Sequence, residues 1–122
     1  MAGEVMWFEF AGGDLEAMES FYGAMFGWQT TRMPGQDYAL TPPPARGIQG
    51  GLMKAPPGVR WTTVYVRVDD LEGKVAEAAA RGGGVLLPPT TLADGMRVAV
   101  VTDPDGNPVG LSGGPVAAEA SA

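Results

Sequence analysis

The sequence predicts an α+β fold of two tandem βαβββ modules, and an internal repeat carries most of that prediction. Phe8-Glu9-Phe10-Ala11-Gly12-Gly13-Asp14-Leu15-Glu16-Ala17 and Val64-Tyr65-Val66-Arg67-Val68-Asp69-Asp70-Leu71-Glu72-Gly73 align with Asp14 and Asp70 set 56 residues apart. Each copy reads as an alternating apolar strand, then Asp-Leu-Glu, then a helical stretch closed by glycine. Nineteen glycines and eleven prolines add many turns, which suits short strands rather than a helical bundle. At 122 residues the chain is expected to form one domain, with module one at about 4–55, module two at about 60–113 and a tail at 114–122.

The first strand is expected at Val5–Phe10, with Phe8 and Phe10 on one face and Trp7 and Glu9 on the other. Gly12-Gly13 breaks it, and Asp14 is suited to cap a helix, because its carboxylate can accept an orphan backbone N–H. Leu15, Met18, Phe21, Tyr22, Met25 and Phe26 recur at helical spacing and form an apolar stripe for the sheet. Gly27 stops the helix. Short strands follow at Trp28–Met33, Tyr38–Thr41 and Ile48–Met53, separated by Pro-Gly, Pro-Pro-Pro and glycine turns.

The second module repeats the order. Trp61–Val68 is its strand, with Thr63, Tyr65 and Arg67 on the face opposite Val64, Val66 and Val68. Asp70–Arg81 is its helix, with Leu71, Val75, Ala78 and Ala79 turned inward, and Gly82-Gly83-Gly84 ends it. Strands at Val85–Leu87, Met96–Thr102 and Pro108–Ser112 complete the set. Asp103-Pro104-Asp105-Gly106-Asn107 is turn chemistry throughout, and it lacks the spaced acidic ligands and closing Glu of a calcium loop. The small, featureless tail after Gly113 is expected to fray.

Composition narrows the function. Forty-five per cent hydrophobic and 18% charged residues fit a globular protein with a real core. The chain has no cysteine, so it can hold neither a disulfide nor a thiolate metal site, and a cytoplasmic location is expected. A net charge of −6 opposes nucleic-acid binding, which needs a basic face. No apolar run approaches a membrane span.

Phe21-Tyr22 with Phe26-Gly27-Trp28, then Val68-Asp69-Asp70-Leu71, then Asp103-Pro104-Asp105-Gly106-Asn107 resemble the vicinal oxygen chelate superfamily. That is the fold of glyoxalase I, extradiol dioxygenases and bleomycin-resistance proteins. The resemblance spans about Val5 to Ser112. It implies that the two modules curl into a half-open mixed sheet around a cavity, with helices outside, and that a homodimer forms. In metal-dependent members of the superfamily the ligands lie on the first and last strands of each module. Carried onto this chain, those positions fall near Trp7, Gly51, Thr63 and Gly110. Tryptophan offers only a donor N–H, glycine offers nothing, and a neutral threonine hydroxyl is a weak ligand. No metal or other cofactor is therefore expected.

Alternation along the strands then points Trp7, Glu9, Gln49, Gly51, Met53, Thr63, Tyr65, Arg67, Gly110 and Ser112 into the cavity. That is an aromatic and apolar floor with a few polar handles, the composition of a small-molecule pocket. Trp7 either stacks on a ligand or fills the space as core. The two glycines mark places of close approach.

Glu9 is a carboxylate beside an aromatic floor, an environment that suits proton transfer. An ion pair with Arg67 or Arg97 is its structural alternative. Tyr65 is the repeat equivalent of Glu9, so the two are candidate catalytic partners, or one satisfied hydrogen bond. Tyr38 and Trp61, near strand starts, either close over a ligand or cover a sheet edge. Three functions stand at this point. The chain is a metal-free small-molecule binder of the kind that sequesters a drug or metabolite; or a metal-independent lyase, isomerase or cyclase using Glu9 and Tyr65; or a regulatory module. A divergent glyoxalase-like metalloenzyme is the remaining alternative.

Overall fold

The computed structural model describes residues 2–115. The elements are β1 (Val5–Gly12), α1 (Leu15–Phe26), β2 (Thr31–Arg32), β3 (Tyr38–Leu40), β4 (Gly50–Lys54), β5 (Trp61–Arg67), α2 (Leu71–Ala80), β6 (Gly84–Thr91), β7 (Met96–Thr102) and β8 (Pro108–Pro115). The order is βαβββ twice, and the fold is α+β. Backbone packing divides the described residues into two compact units, residues 6–63, and residues 64–115 with 2–5.

In the first unit the strands lie in the order β2-β3-β4-β1. β1 runs parallel to β4, whereas β3 is antiparallel to both β2 and β4. The second unit repeats this as β6-β7-β8-β5, with β5 parallel to β8 and β7 antiparallel to β6 and β8. The two cores share a Leu-Ala-Leu triad. Leu15, Ala39 and Leu52 are buried in one, with Phe10, Met18 and Tyr22 packed against them. Leu71, Ala99 and Leu111 occupy the corresponding places in the other, with Val75 and Val101 beside them. In both, the leucine of Asp-Leu-Glu is the helix's deepest anchor, and an alanine on the middle strand pairs with a leucine on the last: Ala39 with Leu52, Ala99 with Leu111.

The helix starts follow the predicted chemistry. Asp14 accepts from the Ala17 N–H at 2.9 Å, and Asp70 from the Gly73 N–H at 3.0 Å. Both caps have extended backbone, as an N-cap requires. Asp14→Ala and Asp70→Ala are each expected to cost about 1 kcal/mol in chemical denaturation, whereas serine at either place should restore most of it. α1 ends at Gly27, whose φ of 71° is left-handed and whose N–H reaches the Gly23 carbonyl at 2.9 Å. The Asp103 turn is also as predicted. Its carboxylate accepts from the backbone N–H groups of Asp105 and Asn107 and from the Asn107 side chain, and these donors hold it below the usual carboxylate range.

Four elements differ from expectation. The strand expected at Trp28–Met33 shrinks to Thr31–Arg32, because Trp28 packs its indole among Phe8, Phe10, Tyr22 and Phe26. Glu19 of α1 ties down the shortened strand through Thr30 and Arg32, and the Arg32 guanidinium lowers the Glu19 carboxyl below its ordinary range. The apolar stripe of α1 is wider than the core it faces: Phe21, Met25 and Phe26 remain more than half exposed. β6 continues through Pro88-Pro89 to Thr91, with register shifts along β7, which an edge strand tolerates. β8 runs past Gly113 to Pro115, where 114 and 115 pair with Arg97 and Met96. The rest of the expected tail, 116–122, lies outside the described residues. No helix among the described residues is long and apolar enough to cross a membrane.

Candidate functional site

The first unit places a carboxylate inside a ring of aromatic side chains. Glu9, on β1, is only 3% exposed. Its Oε1 accepts from the Tyr38 hydroxyl at 2.9 Å and its Oε2 from the Trp61 indole N–H, also at 2.9 Å. The Trp7 indole N–H donates in turn to the Tyr38 hydroxyl at 2.9 Å. A buried charge is tolerated only when it is hydrogen-bonded, and here neutral aromatic donors grip both of its oxygens. Trp7, Tyr38 and Trp61 are each partly exposed, so the cluster reaches from a buried carboxylate to the protein surface.

Strand register explains why Tyr38 can reach Glu9. Gly51 pairs with Glu9 on one side and with Leu40 on the other, while Tyr38 pairs with Met53. The Tyr38 ring therefore leans along β4 and lies over Gly51. A Cβ at that position would stand 2.1 Å from the ring's Cε1 and 2.2 Å from its Cζ and Oη. Glycine is what lets the tyrosine cross the strand.

The second unit has the same motif with different chemistry. Gly110 pairs with Tyr65, and a Cβ on Gly110 would come within 2.5 Å of the Tyr65 ring. The pairs Glu9–Gly51 and Tyr65–Gly110 hold matching places in the two sheets, as the internal repeat implied. In both units the bare backbone of the last strand is covered by an aromatic ring of the protein itself.

The remaining predicted residues fall as follows. Met53 is a β4 residue two positions beyond Gly51, and Thr63 is buried on β5. The Gln49 amide is committed to the Thr41 carbonyl at 2.7 Å, so it braces the loop before β4. Arg67 is exposed at the end of β5, whereas Ser112, its partner on β8, is buried. Of the two arginines considered for Glu9, Arg97 forms an ion pair with Glu72. Tyr38 and Trp61, noticed in the sequence only as possible covers, both donate hydrogen bonds to the carboxylate.

The positions where metal ligands would stand do not fit a divalent cation. The Trp7 N–H is a donor already spent on Tyr38, Gly51 and Gly110 have no side chain and lie under tyrosine rings, and Thr63 has only a neutral hydroxyl. Among the described residues, no three His, Cys, Asp or Glu side chains gather into a metal-binding group.

Comparison with known proteins agrees with this architecture. Two curated relatives, each described as putative glyoxylase CFP32, come from Mycobacterium tuberculosis (strain CDC 1551 / Oshkosh) and Mycobacterium bovis. Each is 30% identical over 115 residues, covering 86% of this chain and 43% of the relative. The chain thus spans less than half the length of these relatives. Among solved structures, hypothetical protein BH1468 from Bacillus halodurans C-125 superposes with a TM-score of 0.62 at 13% identity, over 92% of this chain and 94% of that one. Methylmalonyl-CoA epimerase from Mycobacterium tuberculosis gives 0.60 at 18% identity, over 97% and 91%. A glyoxalase/bleomycin resistance protein/dioxygenase superfamily member from Vibrio splendidus 12B01 gives 0.60 at 19%, over 91% and 98%. At these identities the structures share the fold. The family model of the Glyoxalase/Bleomycin resistance protein/Dioxygenase superfamily matches residues 5–111, and the chain belongs to that superfamily.

Proposed function

We propose that this chain binds a small organic molecule at the aromatic cluster around Glu9, without a divalent metal. The observation that carries this reading is the Glu9 carboxylate itself, buried and oriented by Tyr38 and Trp61 at 2.9 Å each. A fixed acceptor beside aromatic surfaces is the usual make-up of a small-molecule site, in which a few polar groups orient a ligand held by apolar area. Trp7 and Trp61, both partly exposed, supply stacking surface. The metal-dependent chemistry of some superfamily members is not favoured by the donor set at Trp7, Gly51, Thr63 and Gly110.

A fragment screen read by tryptophan fluorescence tests this proposal. Hits should perturb the emission of Trp7 and Trp61, and Glu9→Gln should weaken them by about 1–3 kcal/mol, the scale of a charge-assisted hydrogen bond. Hits that bind Glu9→Gln as tightly as the parent would place the site elsewhere. Calorimetry with zinc, nickel and manganese should show no stoichiometric binding, and metal that co-purifies at one per chain would contradict the metal-free reading.

We also propose a cytoplasmic homodimer, since exposed sheet edges and the apolar face of α1 favour a symmetric partner. Light scattering should give twice the 12.6 kDa chain mass, and a monomer at micromolar concentration would refute this.

A further inference from the structure

Tyr38 shows by its own placement what the slot over Gly51 accepts. Its ring lies over the bare backbone of Gly51, where a Cβ would collide with it. Its hydroxyl accepts from the Trp7 indole N–H at 2.9 Å and donates to the Glu9 carboxylate at 2.9 Å. Three features therefore converge: a flat floor, a donor for a ring oxygen, and an acceptor for the proton on that oxygen. A planar ring bearing a hydroxyl satisfies all of them, and a ring without one leaves the Trp7 N–H and the Glu9 oxygen short of a partner they have now. Tyr38 sits at the start of a three-residue strand, beside the two-residue exposed β2, and the residue is partly exposed. Rotation about its χ1 would swing the ring toward solvent without breaking the β3–β4 ladder.

We propose that the slot over Gly51 is a binding site for a planar hydroxylated ring, a phenol or an enol, and that Tyr38 is its built-in occupant, displaced when such a ligand binds. This inference rests on the reading of the Glu9 cluster as a small-molecule site, and it names the ligand class.

The test detaches the occupant. 4-Methylphenol reproduces the Tyr38 side chain, and toluene reproduces it without the hydroxyl. Titrated into Tyr38→Ala and followed by the indole N–H signals of Trp7 and Trp61, 4-methylphenol should bind about tenfold or more tighter than toluene. It should also bind Tyr38→Ala about tenfold or more tighter than the parent chain, where it competes with Tyr38. Adding Glu9→Gln should reduce the preference over toluene, leaving only the share due to the Trp7 N–H. Adding Gly51→Ala should abolish binding of both, because the new Cβ stands where the ring must lie.

Should Tyr38→Ala fail to fold, Tyr38→Phe carries the same test. Its occupant lacks the hydroxyl and competes less well, so 4-methylphenol should bind it more tightly than it binds the parent. Equal binding of 4-methylphenol and toluene, no effect of Gly51→Ala, or equal affinity for Tyr38→Phe and the parent would each overturn the inference. If other fragments still bind in a Glu9-dependent way, the small-molecule reading survives that failure. If none does, both fall together.

Discussion

Gly83→Ala is expected to destabilise the second unit by about 3 kcal/mol or more, the upper range for overpacking against atoms that cannot give way. A Cβ on Gly83 would stand 2.2 Å from the Thr102 carbonyl oxygen and 3.0 Å from that of Ala78. Both obstacles are backbone. The first belongs to β7, pinned by its ladders to β6 and β8, and the second to α2, whose Ala78 carbonyl accepts from the Gly83 N–H at 2.9 Å. No rotamer change relieves such a clash, so either the helix end or the strand must move. The three consecutive glycines are not interchangeable. Gly82 has a φ of 93°, so alanine there meets open space but a strained backbone, and a cost of about 1 kcal/mol is expected. At Gly84 the nearest obstacle is the Thr102 hydroxyl at 3.0 Å, a side-chain atom, and the penalty should be smaller than at Gly83. Urea denaturation of the three variants should rank Gly83→Ala lowest in midpoint. A Gly83→Ala midpoint equal to the parent's would mean that α2 and β7 are not held as close as described.

Glu9→Leu should cost roughly 2–4 kcal/mol, although it replaces a buried charge with an apolar group of similar size. The cost comes from the partners left behind. Trp61 Nε1 can only donate, so losing its acceptor leaves that N–H to seek water or stay unsatisfied. The Tyr38 hydroxyl keeps its bond from Trp7 but loses the acceptor for its own proton. Glu9→Gln should be milder, about 1 kcal/mol, because the amide carbonyl can still accept from Trp61. Tyr38→Phe in the Glu9→Leu background should add less than Tyr38→Phe alone, since the bond it removes is already gone. Fluorescence-monitored unfolding decides both points. If Glu9→Leu proved as stable as the parent, the cluster would not be holding a carboxylate at all.

The architecture was legible because the repeat and the helix caps are local signals. Asp14 and Asp70 announce their helices within four residues, and the alternation Trp7-Phe8-Glu9-Phe10 separates two faces without any knowledge of neighbours. What the sequence does not carry is which strands lie side by side and in what register. Tyr38 and Trp61 are 29 and 52 positions from Glu9, and nothing in their own surroundings marks them as its donors. The matched glycines Gly51 and Gly110 were visible, but not what covers them. Absence of a side chain implies room for something, and only coordinates show that a tyrosine has taken it. Trp28 misled in the opposite direction: it is expected in a strand running to Met33, and aromatic packing against Phe8, Phe10, Tyr22 and Phe26 holds it outside the sheet. The strand expected at Val85–Leu87 runs on through Pro88-Pro89, because only an edge position makes a strand through proline tolerable.

The parallel pairing of first and last strands within each module also bears on how the chain acquires its structure. Phe8 meets Gly50 and Tyr65 meets Gly110, so each sheet is closed by contacts more than 40 residues apart along the chain. Helix and hairpin formation can run ahead on local contacts, but the β1–β4 and β5–β8 ladders must wait for a long loop to close. Folding in the millisecond-to-second range is therefore expected, rather than the microseconds open to helical bundles. Until β4 arrives, β1 exposes Phe8 and Phe10 on an unpaired strand, the kind of intermediate that associates with other chains. A nascent chain would be most aggregation-prone in the interval between synthesis of Phe10 and of Lys54.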